Sequence, residues 1–246
     1  MKKLTNIEKF LDSTYLKTAN ESSISELKNK EIVISTIDEA IKNKYACIMI
    51  RPKYVHLACE KIQFCNSELK VGTVIDFPLG SSDTHIKIKE ANDAIENGAH
   101  ELDFVCDYNA FKRKNLKKFD SDILKGTKIC LKNSRIVKWI IETGALSRDE
   151  IRMITKRIHN IAQLNFPNNM KNIFIKTSTG YYGGIGATIK DIKLIKSQAK
   201  DLRIKASGGI SNCKDAIKMI SAGADRIGTS KAQIILQEQL NFLNES

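Results

Sequence analysis

Eight times along this chain a short apolar run rich in β-branched residues gives way to a stretch with helical periodicity. That alternation restricts the fold more than any other feature. The runs lie at residues 45–50 (YACIMI), 69–77, 100–106, 135–141, 172–176, 202–206 and 225–228, with a first one near 10–16. Apolar residues sit side by side in them instead of alternating with polar ones, the pattern of strands covered on both faces. Between the runs, Ile88, Ala91, Ala94 and Ile95 recur at helical spacing ahead of Gly98, a residue suited to follow a helix C-terminus. The segment SRDE at 147–150 predicts a capping box from Ser147 to Glu150, followed by Ile151, Ile154, Ile158 and Ile161 on one face. Further helices are predicted over 215–220, ending at Gly223, and over 230–242.

Eight βα units in 246 residues predict an α/β fold, a single (β/α)8 TIM barrel of one domain spanning 1–246, since such barrels typically need about 250 residues. The main rival is an open doubly wound sheet. It would carry a glycine-rich phosphate turn after its first strand, and none follows Leu16.

Composition narrows the function classes. Hydrophobic residues make up 42% and charged residues 28% of the chain, enough apolar side chains to offset the entropy of ordering. Forty Lys+Arg against 28 Asp+Glu leave a net charge of +12, yet only 8 of the forty are Arg and the lysines are spread along the chain. Diffuse lysine reads as a solvated surface that steers anions; specific grip on bases or phosphates favours arginine. With no basic cluster interleaved with aromatics, a nucleic-acid-binding module is the less favoured reading, and no nucleic-acid partner is expected. Six cysteines without a CxxC pair, no exported leader pattern in the first twelve residues and no membrane-length apolar stretch predict a reduced cytoplasmic protein without a membrane partner. Four scattered histidines predict no metal site.

Three of the charged residues that interrupt the apolar runs stand out: Asp103, Lys176 and Lys205. Any one alone reads equally as an exposed strand end or a structural ion pair. Together, on the fourth, sixth and seventh strands, they fall round one mouth of a barrel, where barrel chemistry occurs. A free lysine titrates at about 10.4 and must lose its proton before it can attack a carbonyl. A second ammonium and an apolar surround both favour the neutral amine, and reaching a pKa of about 7 needs roughly 4 kcal/mol. One lysine would then be the nucleophile, the other would tune it, and Asp103 would move protons. Glycines follow the same strand ends in TSTG (177–180), SGG (207–209) and GTS (228–230). Backbone amides freed by glycine at such ends bind phosphate, so a phosphorylated substrate is implied beside the lysines.

These residues resemble the motifs of the deoxyribose-phosphate aldolases, a class I aldolase family. IKTSTG at 175–180 is the most specific match, and its lysine, the Schiff-base residue of that family, is Lys176 here. IKASGGI at 204–210 resembles the second-lysine motif and places it at Lys205; ELDFV at 101–105 resembles the acidic motif and places the proton-transfer carboxylate at Asp103. DSTYL (12–16), DFPLG (76–80), IIETG (140–144) and GADRIGTS (223–230) match in the family's order across nearly the whole chain. The resemblance implies reversible cleavage of 2-deoxy-D-ribose 5-phosphate to D-glyceraldehyde 3-phosphate and acetaldehyde, without metal or organic cofactor, in a homodimer. It assigns substrate contacts to Asp12, Thr14, Cys47 and Thr177. Phosphate contacts fall to Thr179, Gly180, Gly208, Gly209, Gly228 and Ser230.

The chain departs from the family pattern in places. Asp76 stands where glycine is common, Met49 where cysteine is frequent, with Cys47 two residues earlier on the same strand face, and Cys106 where asparagine is usual. Loop 181–188 is one residue longer than usual, and the tail NFLNES lacks a tyrosine that some relatives place near substrate. Lys231 replaces a small residue, and either adds a charge-assisted phosphate contact or faces solvent. A barrel aldolase of the same Schiff-base type acting on another phosphorylated sugar is the alternative reading.

Overall fold

The computed structural model describes residues 6–244, so Glu245 and Ser246 of the tail lie outside the described residues. All eight apolar runs form strands: β1 (Leu11–Tyr15), β2 (Cys47–Ile50), β3 (Lys70–Ile75), β4 (Glu101–Val105), β5 (Ile136–Ile140), β6 (Ile173–Lys176), β7 (Arg203–Ser207) and β8 (Arg226–Thr229). Each pairs in parallel with the next, and β8 pairs with β1 to close the barrel. The helices α1 (Glu26–Lys42), α2 (Val55–Phe64), α3 (Thr84–Glu96), α4 (Tyr108–Lys112), α5 (Leu116–Lys132), α6 (Arg148–Asn165), α7 (Ile189–Ala199), α8 (Cys213–Ser221) and α9 (Ala232–Asn244) lie between and after them. This is the (β/α)8 architecture.

Local chemistry accounts for the helix boundaries. Gly98 follows α3 at φ 99°, a conformation only glycine adopts freely. The capping box at α6 is formed on both sides: Ser147 Oγ accepts from the Glu150 amide (3.2 Å), and Glu150 Oε2 accepts from the Ser147 amide (2.7 Å). The helix then runs four residues beyond its predicted end at 161, carried by buried Ile158 and Ala162.

Along every strand the faces divide, because successive side chains point to opposite sides. Leu102, Phe104, Val137, Trp139, Ile175, Ile204 and Ile227 join the large apolar layer under the helices, where each fully buried side chain of this size contributes about 1.5–3 kcal/mol. Glu101, Asp103, Lys138, Lys176, Lys205 and Arg226 occupy the alternate positions, facing the barrel interior. Cys47, Met49, Val74 and Leu16 form a small separate apolar cluster. Gly72 on β3 keeps room for the two sulfur side chains, since a Cβ there would collide with Met49 Sδ.

Candidate active site

Six strands bring seven charged side chains into the barrel, none more than 6% exposed: Asp12, Glu101, Asp103, Lys138, Lys176, Lys205 and Arg226. Register places Lys176 beside Lys205 and Asp103 beside Lys138. Asp103 is the hub. Its Oδ2 accepts from Lys176 Nζ (2.8 Å) and Lys205 Nζ (2.9 Å), and its Oδ1 accepts from Lys138 Nζ (2.7 Å). Beneath it Lys138 also contacts Glu101 Oε2 (2.6 Å), and Arg226 spans Asp12 (Nε to Oδ1, 2.6 Å) and Glu101 (3.3 Å). Lys205 Nζ lies 2.6 Å from Asp12 Oδ2 as an ion contact without hydrogen-bond alignment.

Among the seven groups in direct contact the charges do not balance when all are ionised: four cations against three carboxylates leave 4 − 3 = +1, while the nearby Glu142 touches none of the cations and meets Lys176 only through space. Uncompensated buried charge is expensive, so one cation is under pressure to discharge. Lys176 is that cation, because it has a single carboxylate partner whereas Lys138, Lys205 and Arg226 each contact at least two. Burial lowers its pKa to about 8, aided by Lys205 and Lys138 and opposed by Asp103. Burial alone would raise the Asp103 carboxyl, yet Lys138, Lys176 and Lys205 together hold it well below the usual range. Lys138 goes the other way: Asp103, Glu101 and Asp12 outweigh burial and push its ammonium up.

Above the ions a cavity of about 1030 Å³ opens at the C-terminal ends of the strands. Lys176 reaches its wall, with Thr14, Thr179, Gly180, Gly208, Gly209, Gly228, Ser230 and Lys231. Gly180, Gly208 and Gly209 have φ of 83°, 91° and 74°, so these turns need glycine. Loop 181–188 is seated on this rim. Gly186 packs directly on the Gly208 backbone, and the Ala187 amide donates to Ser207 O (3.1 Å). Tyr181 stands edge-on to Phe77 with centroids 5.0 Å apart.

The remaining expected contact residues lie behind the wall. Asp12 is committed to Arg226 and Lys205. Thr177 is fully buried and ties β6 to β7, donating to Ser207 O and accepting from Ser207 N, both at 3.0 Å. Cys47 is fully buried with its Sγ 3.8 Å from Met49 Sδ, and burial, with Glu101 and Asp12, keeps it a thiol. The donor atoms of Asp12, Cys47 and Glu101 lie within 4.8 Å of one another, but both carboxylates are already engaged by cations and the thiol holds its proton. Asp76 adopts φ 53° and accepts from Ser82 N (2.9 Å) and Ser82 Oγ (2.7 Å), which explains a position open to glycine or aspartate.

In and beside this cluster, four buried charged residues were not singled out in the sequence: Glu101, Lys138, Arg226 and Glu142. The first three sit inside the apolar runs, so the rule that picked out Asp103 would have found them. Glu142, just beyond β5, has a left-handed backbone (φ 57°), a strain of about 1–3 kcal/mol for a residue with a side chain. Its Oε2 accepts from Thr179 N (3.2 Å) and Oγ1 (2.5 Å), so Thr179 reaches the cavity wall with both donors already committed.

Fold and ion cluster together define a (β/α)8 barrel of the aldolase class, with a lysine pair buried at the mouth. A solved aldolase superposes with a TM-score of 0.78 at 33% identity, covering 98% of each chain. The deoxyribose-phosphate aldolase of Thermococcus kodakarensis is 35% identical over 232 residues, covering 94% of this chain and 96% of that one, and the enzyme of Staphylococcus haemolyticus is 39% identical over 233 residues with the same coverage. A tetrameric deoxyribose phosphate aldolase from Aeropyrum pernix superposes with a TM-score of 0.75 at 26% identity, covering 95% of this chain and 90% of that one. No family model matches the chain. By its relatives it belongs to the deoxyribose-phosphate aldolase family.

Proposed function

We propose that this protein reversibly cleaves 2-deoxy-D-ribose 5-phosphate to D-glyceraldehyde 3-phosphate and acetaldehyde, with Lys176 as the nucleophile. The single observation that carries this reading is the uneven ion count, which makes Lys176 the one cation the barrel discharges at little cost. Its neutral amine attacks C1 of the open-chain sugar, and loss of water gives a protonated imine. Removal of the C3 hydroxyl proton then breaks the C2–C3 bond. The bonding electrons flow into the imine, releasing D-glyceraldehyde 3-phosphate and leaving a neutral enamine on Lys176. Protonation at C2 and hydrolysis release acetaldehyde and restore the amine. The imine is itself the electron sink, so these steps call on no metal or organic cofactor.

Asp103 changes character through this cycle. In the resting site three ammonium groups face it and it holds no proton at neutral pH. In the enamine the Lys176 nitrogen is neutral, one of those charges is gone, and the affinity of Asp103 for a proton rises at the cleavage step, which releases one from the C3 hydroxyl. A water beside it completes the relay. Lys205 lowers the affinity of Lys176 for its proton. The amides of the glycine turns, with Ser230 and Lys231, receive the phosphate. Family resemblance supports a cytoplasmic homodimer; among the described residues no helix is long and apolar enough to cross a membrane.

Incubation with acetaldehyde and borohydride, followed by peptide mapping, tests the nucleophile. The expected product is a reduced adduct at Lys176 and at no other lysine, with turnover abolished in Lys176→Ala while the far-ultraviolet circular dichroism is retained. An adduct elsewhere, or full activity in that variant, overturns the assignment. Faster cleavage of a different phosphorylated sugar would instead favour the alternative substrate.

A further inference from the structure

Glu142 joins two strand ends through one carboxylate. It lies two residues past β5, is 1% exposed, and holds a backbone conformation (φ 57°, ψ 68°) that glycine adopts more readily. Its Oε2 takes both donors of Thr179, the amide at 3.2 Å and the hydroxyl at 2.5 Å. Thr179 Oγ1 in turn accepts from the Tyr181 amide (3.0 Å). The amides on both sides of Gly180 are thereby engaged, and the Gly180 peptide between them is fixed on the cavity wall.

Neighbouring ties already hold these strand ends together without Glu142. The Thr143 amide donates to Thr177 O (2.8 Å), and the hydroxyls of Thr143 and Ser178 are 3.2 Å apart. The other Glu142 oxygen, Oε1, is buried with no hydrogen-bond partner among the described residues. A buried acid with an unused acceptor in a strained backbone is an expensive way to fill space that an apolar side chain would fill without those costs. What it does beyond filling is hold Thr179, and through it the turn that carries Gly180.

We propose that Glu142 is a positioning residue for the phosphorylated end of the substrate: by anchoring Thr179 it sets the Gly180 peptide at the height the phosphate needs. This rests on reading the glycine-lined wall as the phosphate site. Its carboxylate bonds Thr179 and meets the Lys176 amine only through space, so the main effect of Glu142 falls on recognition of the phosphate.

The test compares steady-state cleavage of 2-deoxyribose 5-phosphate and of unphosphorylated 2-deoxyribose by the wild-type protein, Glu142→Asp and Glu142→Gln. Aspartate keeps the charge and tolerates the left-handed backbone, but its carboxylate falls one methylene short of Thr179. Glutamine keeps both the reach and an acceptor oxygen. Loss of a hydrogen bond to a charged acceptor predicts a KM for the phosphorylated sugar raised roughly tenfold in Glu142→Asp, with a far smaller change for the free sugar. Glu142→Gln restores the preference. Equal losses on both sugars, or a glutamine variant as impaired as the aspartate one, overturn the proposal. A wild-type protein that does not prefer the phosphorylated sugar removes the phosphate site itself, and the proposal with it. Should Glu142→Asp fail to fold by circular dichroism, Thr179→Val, which removes the hydroxyl that Glu142 holds, is put through the same two sugars with the same expectation.

Discussion

With burial bringing Lys176 to about 8, roughly a tenth of the molecules carry the free amine at pH 7. The neutral form grows as pH rises, so kcat/KM for the sugar phosphate should climb through a limb centred near 8 and level off above it. Lys205→Met removes a like charge and leaves Asp103 to Lys176 and Lys138, which raises the Lys176 pKa. The limb should therefore move to higher pH and activity at pH 7 should fall; a pH–rate profile with an unmoved midpoint would refute the tuning role. The same shift is a stability statement. Between the folded value near 8 and the unfolded value of 10.5 the unfolded chain binds more protons, so this residue's destabilising effect is full below pH 8 and fades as pH rises towards 10.5. At this scale the sequence showed which residues were unusual. It did not show the count of charges around them, because Glu101, Lys138 and Arg226 come from segments far apart in the chain and meet only on the inner face of the closed sheet.

Strands and helices were legible because each obeys a local rule. Adjacent apolar residues marked the strands, and the Ser147 to Glu150 box marked the start of α6. The boundaries that shifted did so through packing, as where α6 extends past 161 over buried Ala162. Gly126 in α5 shows packing overruling propensity. Alanine there would favour the helix by up to about 1 kcal/mol. Its Cβ, however, would stand 2.7 Å from the Trp139 ring on β5, whose indole donates to Thr127 Oγ1 at 3.0 Å on the same helix. Gly126→Ala should therefore lower stability by about 1–3 kcal/mol in urea unfolding, and a stabilised variant would show that α5 can move away from the barrel. The strands carried a subtler signal. Runs such as ELDFV and RIVKWII read as apolar on both faces, whereas one face is apolar and the other carries charge. The two readings differ only in whether a charge in a buried strand is taken as an end or as an interior position.

For the whole molecule, the surplus of +12 separates into two populations. Most of it is solvated lysine, while Lys138, Lys176, Lys205 and Arg226 lie inside, opposed by three carboxylates. Oligomeric state belongs to this scale as well: sedimentation velocity at working concentration should give a dimer, and a species that remains monomeric would refute the family expectation. The sequence by itself determined the eight βα units, their closure into a barrel of this size, and the lysine and glycine motifs at the strand ends, because periodicity, capping and turn chemistry are written within a few consecutive residues. Only the tertiary structure decided which lysine discharges, which expected contacts reach the cavity, and that Glu142 holds the Thr179 turn. Those outcomes depend on burial and on distances between residues as many as 214 positions apart, as between Arg226 and Asp12, and such distances exist only once the sheet has closed.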